Sequence, residues 1–255
     1  MRSLVGFLLV PAGIYAGLCL LMFFTQRSQI YFPVRESHAS GATAMRFPVD
    51  GAELKVWVVA RPGPAAILYF GGNGEDVGFN VASFSASFPE HTLYLVNYRG
   101  YGGSTGRPTE RGLVADAIAL HDHLRSRHAQ VSVVGRSLGS GVAVRLASER
   151  KVHRLVLVTP FDSLVNVARA HFPYLPVGLL MRDRYDSTGL APAIEARTLV
   201  VIAGADEIIP RARTDALVAS LRPGQARVVV LERARHNDID LAPRYLDELR
   251  EFLAR

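Results

Sequence analysis

The chain has 255 residues, 49% of them hydrophobic, enough for one sizeable buried core, so a single globular domain is the expectation. Its formal charge of +6 comes from basic residues, nearly all arginine, scattered along the sequence. Nucleic-acid binding requires a basic stripe interleaved with aromatics, and this pattern excludes one; the lone cysteine, Cys19, excludes an internal disulfide and a cysteine metal cluster.

Residues 4–24 are uncharged and apolar almost throughout, long enough to cross a bilayer as a helix. Pro11, Gly13 and Gly17 weaken a soluble helix but are tolerated in a membrane one. A cleaved signal peptide is the alternative. The run is long for one, however, and Phe24-Thr25-Gln26-Arg27 offers no small-residue cleavage site. Leu18 before Cys19 fits a lipoprotein site no better. Residues 1–25 are therefore expected to be an uncleaved single-pass membrane anchor. Gly13 and Gly17 read as ordinary small residues of a span rather than a dimerisation motif. Arg2 on one side and Arg27 and Arg35 on the other leave the orientation open.

Residues 26–43 read as a juxtamembrane connector, with Ile30, Tyr31 and Phe32 resting at the interface or on the domain that occupies 44–255. Strand-like apolar runs follow at 45–49, 54–60, 65–70, 92–97, 131–134, 155–159, 199–203 and 227–231. From the third run on, helical patterns intervene at 77–88, 110–127, 138–149, 211–221 and 244–254. An initial run of strands followed by strand–helix alternation predicts an α/β fold. Its mostly parallel sheet of eight strands has helices on both faces and functional loops at the strands' carboxyl ends.

The stretch VSVVGRSLGSGVAVRLAS, residues 131–148, joins a β-branched run to a helical pattern through Gly135-Arg136-Ser137-Leu138-Gly139. Strand, G-x-S-x-G turn and helix make a nucleophile elbow, in which a strained serine stands above the sheet edge between two glycines. Chance supplies roughly 0.1 such matches in a chain of this composition. A second match, Gly102-Gly103-Ser104-Thr105-Gly106, runs into Arg107-Pro108 and continues as loop, so Ser104 reads as turn chemistry.

A serine nucleophile needs a base, and the base an orienting carboxylate, in the chain order Ser, acid, His. Asp206 falls in the loop after the run at 199–203 and His236 in the loop after the last strand, where those two members belong. Asp162 is the rival acid, with Glu207 and Asp238 ranked below it. Two backbone amides are wanted for the oxyanion. Leu138, at the helix N-terminus, supplies one, and the loop Gly71-Gly72-Asn73-Gly74 supplies the other, Gly72 letting the backbone approach substrate.

No Gly-Lys-Ser/Thr follows that loop, and Gly100-Tyr101-Gly102-Gly103 does not complete G-x-G-x-x-G, so phosphate and dinucleotide sites are not expected. His121, His123 and His128 read as surface residues, since positions two apart on a helix do not face one another.

The motifs Asn97-Tyr98-Arg99-Gly100-Tyr101-Gly102, Gly135-Arg136-Ser137-Leu138-Gly139, Asp206 with Pro210, and His236-Asn237-Asp238 give the chain a likeness from Gln26 onward. It resembles the α/β-hydrolase superfamily, and within it the membrane-anchored, single-pass serine hydrolases of the α/β-hydrolase-domain type. The resemblance implies an α/β-hydrolase catalytic domain with nucleophile Ser137, acid Asp206, base His236, and oxyanion amides at Asn73 and Leu138. One departure stands out. Gly71-Gly72-Asn73 replaces a frequent His-Gly-Asn, keeping the backbone donor but losing a side chain that braces the loop. The family acts on carboxylic esters, thioesters, lipids and sometimes peptides, so no substrate carries over.

The sequence thus reads as a membrane-tethered serine hydrolase of esters or thioesters, lipid acyl groups among them, whose chemistry needs no metal or organic cofactor. A short lid is expected between residues 161 and 193, with Phe172, Tyr174, Leu175, Leu179 and Leu180 as candidates for an acyl groove or for ordinary packing. A membrane-anchored peptidase and a non-catalytic binding protein of the same fold are the alternatives. Since the anchor contributes nothing to the triad, deleting residues 1–26 is expected to spare turnover of a short soluble ester.

Overall fold

The computed structural model describes residues 2–254, with side chains from residue 9 onward. Eight strands form one sheet: β1 (Thr43–Val49), β2 (Ala52–Val59), β3 (Ala65–Phe70), β4 (Thr92–Val96), β5 (Gln130–Arg136), β6 (Arg154–Val158), β7 (Arg197–Ala203) and β8 (Ala226–Leu231). Their order is β1-β2-β4-β3-β5-β6-β7-β8. β2 pairs antiparallel with β1 and β4, and every other pair is parallel.

Both faces of this sheet are buried, and the alternation of side chains decides which residue serves which face. Leu68, Phe70, Val131, Val133, Leu155, Leu157, Val200 and Ile202 pack into one core with α3 (Glu110–Arg125), α4 (Leu138–Glu149) and α8 (Arg211–Ser220). Ile67, Tyr69, Leu93, Leu95, Val156, Val158, Leu199 and Val201 pack into the other with α2 (Asn80–Ser87) and α9 (Tyr245–Leu253).

The chain reverses its walk across the sheet at β3, which lies between β4 and β5. Loops leaving β3 and β5 therefore diverge, opening a crevice at the carboxyl edge. Phe70 and Gly135 are register partners there, so residues 71–73 and 137 emerge side by side.

Segment 161–193, where a short lid is expected, holds three short helices, α5 (Leu164–His171), α6 (Val177–Leu180) and α7 (Ser187–Leu190), which together form a small cap. Two features depart from the sequence expectations. Helix α1 (Arg2–Ile30) runs on past the apolar stretch, because residues 25–30 contain neither glycine nor proline and Pro33 first opposes it. Residues 26–30 are thus helix rather than connector, and they are fastened to the cap. Gln26 Nε2 donates to the Leu180 carbonyl at 3.1 Å, the Arg182 amide donates to Gln26 Oε1 at 2.7 Å, and Arg27 pairs with Asp183 at 2.8 Å. Last, His121 and His128 are buried, not on the surface. His121 sits one turn beyond Ala117 on the apolar face of α3, and His128 Nε2 lies 2.9 Å from the Tyr94 hydroxyl. Burial lowers the pKa of both imidazoles.

Candidate active site

Ser137 separates β5 from α4 with φ 50° and ψ −115°, a left-handed strain that costs roughly 1–3 kcal/mol. Its amide donates to the Val158 carbonyl at 2.9 Å, and its carbonyl accepts from the Ser140 amide at 2.8 Å. The flanking glycines are dictated by contact. A Cβ on Gly135 would lie 2.3 Å from the Gly139 carbonyl oxygen, and one on Gly139 would lie 2.1 Å from that of Phe70. Both obstacles are backbone and cannot swing aside. Gly139→Ala is expected to destabilise the fold by about 3 kcal/mol or more, read as a lowered urea midpoint. A midpoint equal to the parent's would refute the contact argument.

Above Ser137, the loops after β7 and β8 converge. His236 Nε2 lies 2.8 Å from Ser137 Oγ, and His236 Nδ1 lies 2.8 Å from Asp206 Oδ2. Asp206 is itself held, its Oδ1 accepting from the amides of Ile208 at 2.9 Å and Ile209 at 2.7 Å. Glu207 Oε2 accepts from the His236 amide at 3.4 Å, and Asp238 Oδ1 from the Arg235 amide at 2.6 Å, so both serve the loop backbone.

The rival acid stands apart. Asp162 accepts from the Ser163 amide at 2.7 Å, Asn166 Nδ2 at 2.8 Å and Arg213 at 3.1 Å. Ser104 Oγ is consumed by its turn, donating to the Asn97 carbonyl and accepting from the Lys55 amide, each at 2.8 Å.

Asn73 and Leu138 flank Ser137 from the two diverging loops, and both line its cavity. Leu138 opens α4, so its amide is one of those that the helix's own carbonyls cannot reach. The glycine-rich loop after β3 is braced by Glu75, Tyr69 and Asn80, which no sequence motif included, and by Tyr101 and Phe32. Glu75 Oε2 accepts from the Gly72 amide at 2.6 Å, while its Oε1 accepts from Tyr69 and Asn80, each at 2.5 Å. Asn73 Oδ1 accepts from the Tyr101 hydroxyl at 2.8 Å and the Phe32 amide at 2.9 Å. Burial, reinforced by Glu75, pushes the Tyr69 phenol well above its ordinary pKa, so it remains a donor.

Arg136, within the serine motif, ties three loops together. It donates to the carbonyls of His236 at 3.3 Å and Asn237 at 3.0 Å, and pairs with Glu75 at 3.5 Å and Asp240 at 3.3 Å. Burial opposes its charge, but the Glu75 and Asp240 carboxylates together with the Tyr69 and Tyr245 hydroxyls more than offset this and raise its pKa. A charged residue behind a glycine-rich loop was the only sequence cue to this network.

A cavity of about 450 Å³ opens beside Ser137 and His236, within the range of small-molecule sites. Leu164, Val167, Phe172, Val177 and Met181 of the cap form one wall, and Ile208 and Ile209 another. Met22, Gln26 and Ile30 of α1 close a third side, so residues 1–26 cannot be deleted without opening the cavity. Gly72 lines a smaller polar pocket of about 200 Å³ with Glu75 and Arg136. Of the acyl-groove candidates only Phe172 reaches the main cavity. Tyr174 and Leu179 are 89% and 84% exposed, and neither they nor Leu175 and Leu180 line it. The turns at Pro173 and Pro176 carry this stretch outward, toward α1, where the Tyr15 hydroxyl donates to the Tyr174 carbonyl at 2.8 Å.

A sequence profile of the alpha/beta hydrolase family matches residues 62–193, and the chain belongs to that family. An uncharacterized protein of Mycobacterium tuberculosis is 34% identical, over 96% of this chain and 92% of its own length. The alpha/beta hydrolase domain-containing protein aho-3 of Caenorhabditis elegans is 30% identical over 73% of this chain and 57% of its own. An uncharacterized membrane protein of Saccharomyces cerevisiae is 27% identical over 80% and 76%. Among solved structures, a Pyrococcus furiosus esterase superposes with a TM-score of 0.70 at 18% identity, covering 88% of this chain and 98% of the esterase. An enol-lactonase from Burkholderia xenovorans gives 0.66 at 17% identity, covering 83% and 100%. At those identities the likeness establishes the fold alone.

Proposed function

We propose that the protein is a membrane-anchored serine hydrolase that cleaves carboxylic esters or thioesters through an acyl-enzyme on Ser137. The observation that carries this reading is the continuous hydrogen-bond chain from Ser137 Oγ through His236 to Asp206, with 2.8 Å at each step. His236 Nε2 takes the Ser137 proton as Oγ attacks the acyl carbon, and Asp206 holds the Nδ1–H tautomer and stabilises the imidazolium. The amides of Asn73 and Leu138 receive the oxyanion. His236 then returns the proton to the departing alcohol or thiol. Water, deprotonated by the same imidazole, attacks the acyl-enzyme, releasing the acid and restoring Ser137. An apolar cavity wall suits an acyl chain better than a peptide, which favours the esterase reading over a peptidase. Helix α1 is read as the anchor, with the catalytic domain following it, and Leu9–Ile30 qualifies as a span by length and hydropathy.

Reaction with a fluorophosphonate probe, followed by peptide mass spectrometry, tests this. The adduct is expected on the peptide containing Ser137. An adduct on Ser104 instead, or none on the folded protein, would overturn the assignment.

A further inference from the structure

The cap stretch 172–181, FPYLPVGLLM, carries no charge, and it is the part of the cap that faces α1. Its exposed side chains are apolar: Phe172, Tyr174 and Leu179. Basic residues bracket it, with Arg169 before and Arg182 and Arg184 after, all exposed. The Arg182 guanidinium lies 5.7 Å above the ring of Phe23, near the end of the apolar part of α1.

Depth along α1 gives this arrangement a meaning. Tyr15 lies eight residues nearer the N-terminus than Phe23, about 12 Å further along the helix. The Tyr15–Tyr174 hydrogen bond therefore places the tip of the cap about 12 Å beyond the level of Arg182. The uncharged run of α1 between Arg2 and Tyr15, residues 3–14, spans only about 18 Å, too short to cross a hydrocarbon core of about 30 Å. If α1 crosses, the turns flanked by the cap must cross too, and they carry the cap with them.

The backbone of the tip suits that environment, because a lipid-facing segment has no water to satisfy its polar groups. Pro173 and Pro176 have no N–H to satisfy. Six of the remaining eight amides, those of Phe172, Leu175, Val177, Leu179, Leu180 and Met181, donate to carbonyls between residues 168 and 177, and those of Tyr174 and Gly178 do not. The carbonyls of Tyr174 and Leu180 accept from Tyr15 and Gln26 of α1.

We infer that residues 172–181 are a second membrane element, a cap tip that dips into the bilayer beside α1 with its arginine rim at the headgroups. The partner is the lipid bilayer, and the inference rests on the reading of α1 as the anchor. Bound this way, the cap fixes the domain's orientation, which a single helix followed by a loop would leave free, and turns the wall shared by α1 and the cap toward the lipid.

Site-directed fluorescence tests it without any need for catalysis. In a Cys19→Ser background, full-length protein carrying Tyr174→Cys, Leu179→Cys, Leu20→Cys or Glu90→Cys is labelled with an environment-sensitive dye. Each is reconstituted into phosphatidylcholine–phosphatidylglycerol vesicles, and only variants with the parent's circular dichroism are compared. Glu90 precedes β4, at the sheet edge opposite the site, and reports the aqueous side. Positions 174 and 179 are expected to be quenched by spin-labelled lipid as position 20 is. Iodide should quench them about fivefold less than position 90. Iodide access at 174 and 179 equal to that at 90, with position 20 still lipid-quenched, would overturn the cap insertion and leave the anchor standing. Shielding from iodide without lipid quenching would assign the patch to a second copy or a protein partner and overturn it too. Loss of lipid quenching at position 20 would instead remove the anchor reading on which the inference rests.

Discussion

Ser137→Ala is expected to lower kcat for a short p-nitrophenyl ester by about 10⁶-fold while leaving the urea midpoint close to the parent's. The substitution removes one oxygen and keeps the Cβ, so the strained backbone at φ 50° faces the same sterics as before. What is lost is the hydroxyl oxygen, 2.8 Å from His236 Nε2, that is proposed to form the covalent intermediate. The amides of Asn73 and Leu138, proposed to receive the oxyanion, and the cavity remain, so a residual acceleration over water is expected rather than none. Ser104→Ala should instead retain turnover and lose some stability, because that hydroxyl joins the Asn97 carbonyl to the Lys55 amide. Comparable activity in the Ser137→Ala and parent proteins would end the elbow assignment.

Asp206→Asn should lower kcat by about 10⁴-fold. The amide nitrogen of asparagine can donate to Nδ1, and the imidazole then carries its proton on Nε2, facing Ser137, where no proton can be accepted. The fold should hold, because an asparagine oxygen can still accept from the amides of Ile208 and Ile209. Asp162→Asn provides the contrast. It weakens the charge-assisted bond from Arg213, so a loss of about 1–3 kcal/mol in stability is expected. Its kcat should stay near the parent's, since none of its hydrogen bonds reach His236. Reversed results, with turnover lost at Asp162 and kept at Asp206, would move the acid to the loop after β6.

Much of this architecture is legible in the sequence because each signal is local. The β-branched run 131–134 reads as a buried strand, and the glycines at 135 and 139 are followed directly by a helical pattern, which the match at 102–106 lacks. Once the strands are placed, chain order puts Asp206 and His236 in the loops after β7 and β8, though it does not by itself exclude Asp162 in the loop after β6. The Glu75–Arg136 network is different in kind. Arg136 meets partners 61 and 101 residues away, and no short-range pattern encodes such a meeting. In the loop after β3, the bracing comes through space from Tyr69, Asn80 and Arg136 by way of Glu75.

The cap misled the reading for another reason. Apolar identity says that Tyr174 and Leu179 avoid water, but not which apolar surroundings they seek, and two prolines decide that they turn away from the cavity. Helix α1 likewise outlasts its hydropathy. It continues through the polar residues 25–29 and ends three residues before Pro33.

The convergence on Arg136 bears on how the site comes apart and comes together. One guanidinium holds the carbonyls of His236 and Asn237 and the carboxylates of Glu75 and Asp240. Releasing any one of these loops leaves a buried cation short of a partner, which penalises the release of that loop and loosens the hold on the others. The loops after β3 and β8 are therefore expected to open as one cooperative unit rather than fraying singly. Their amides should then share a single free energy of exchange with solvent, so that the arrangement around Ser137 is present whole or absent.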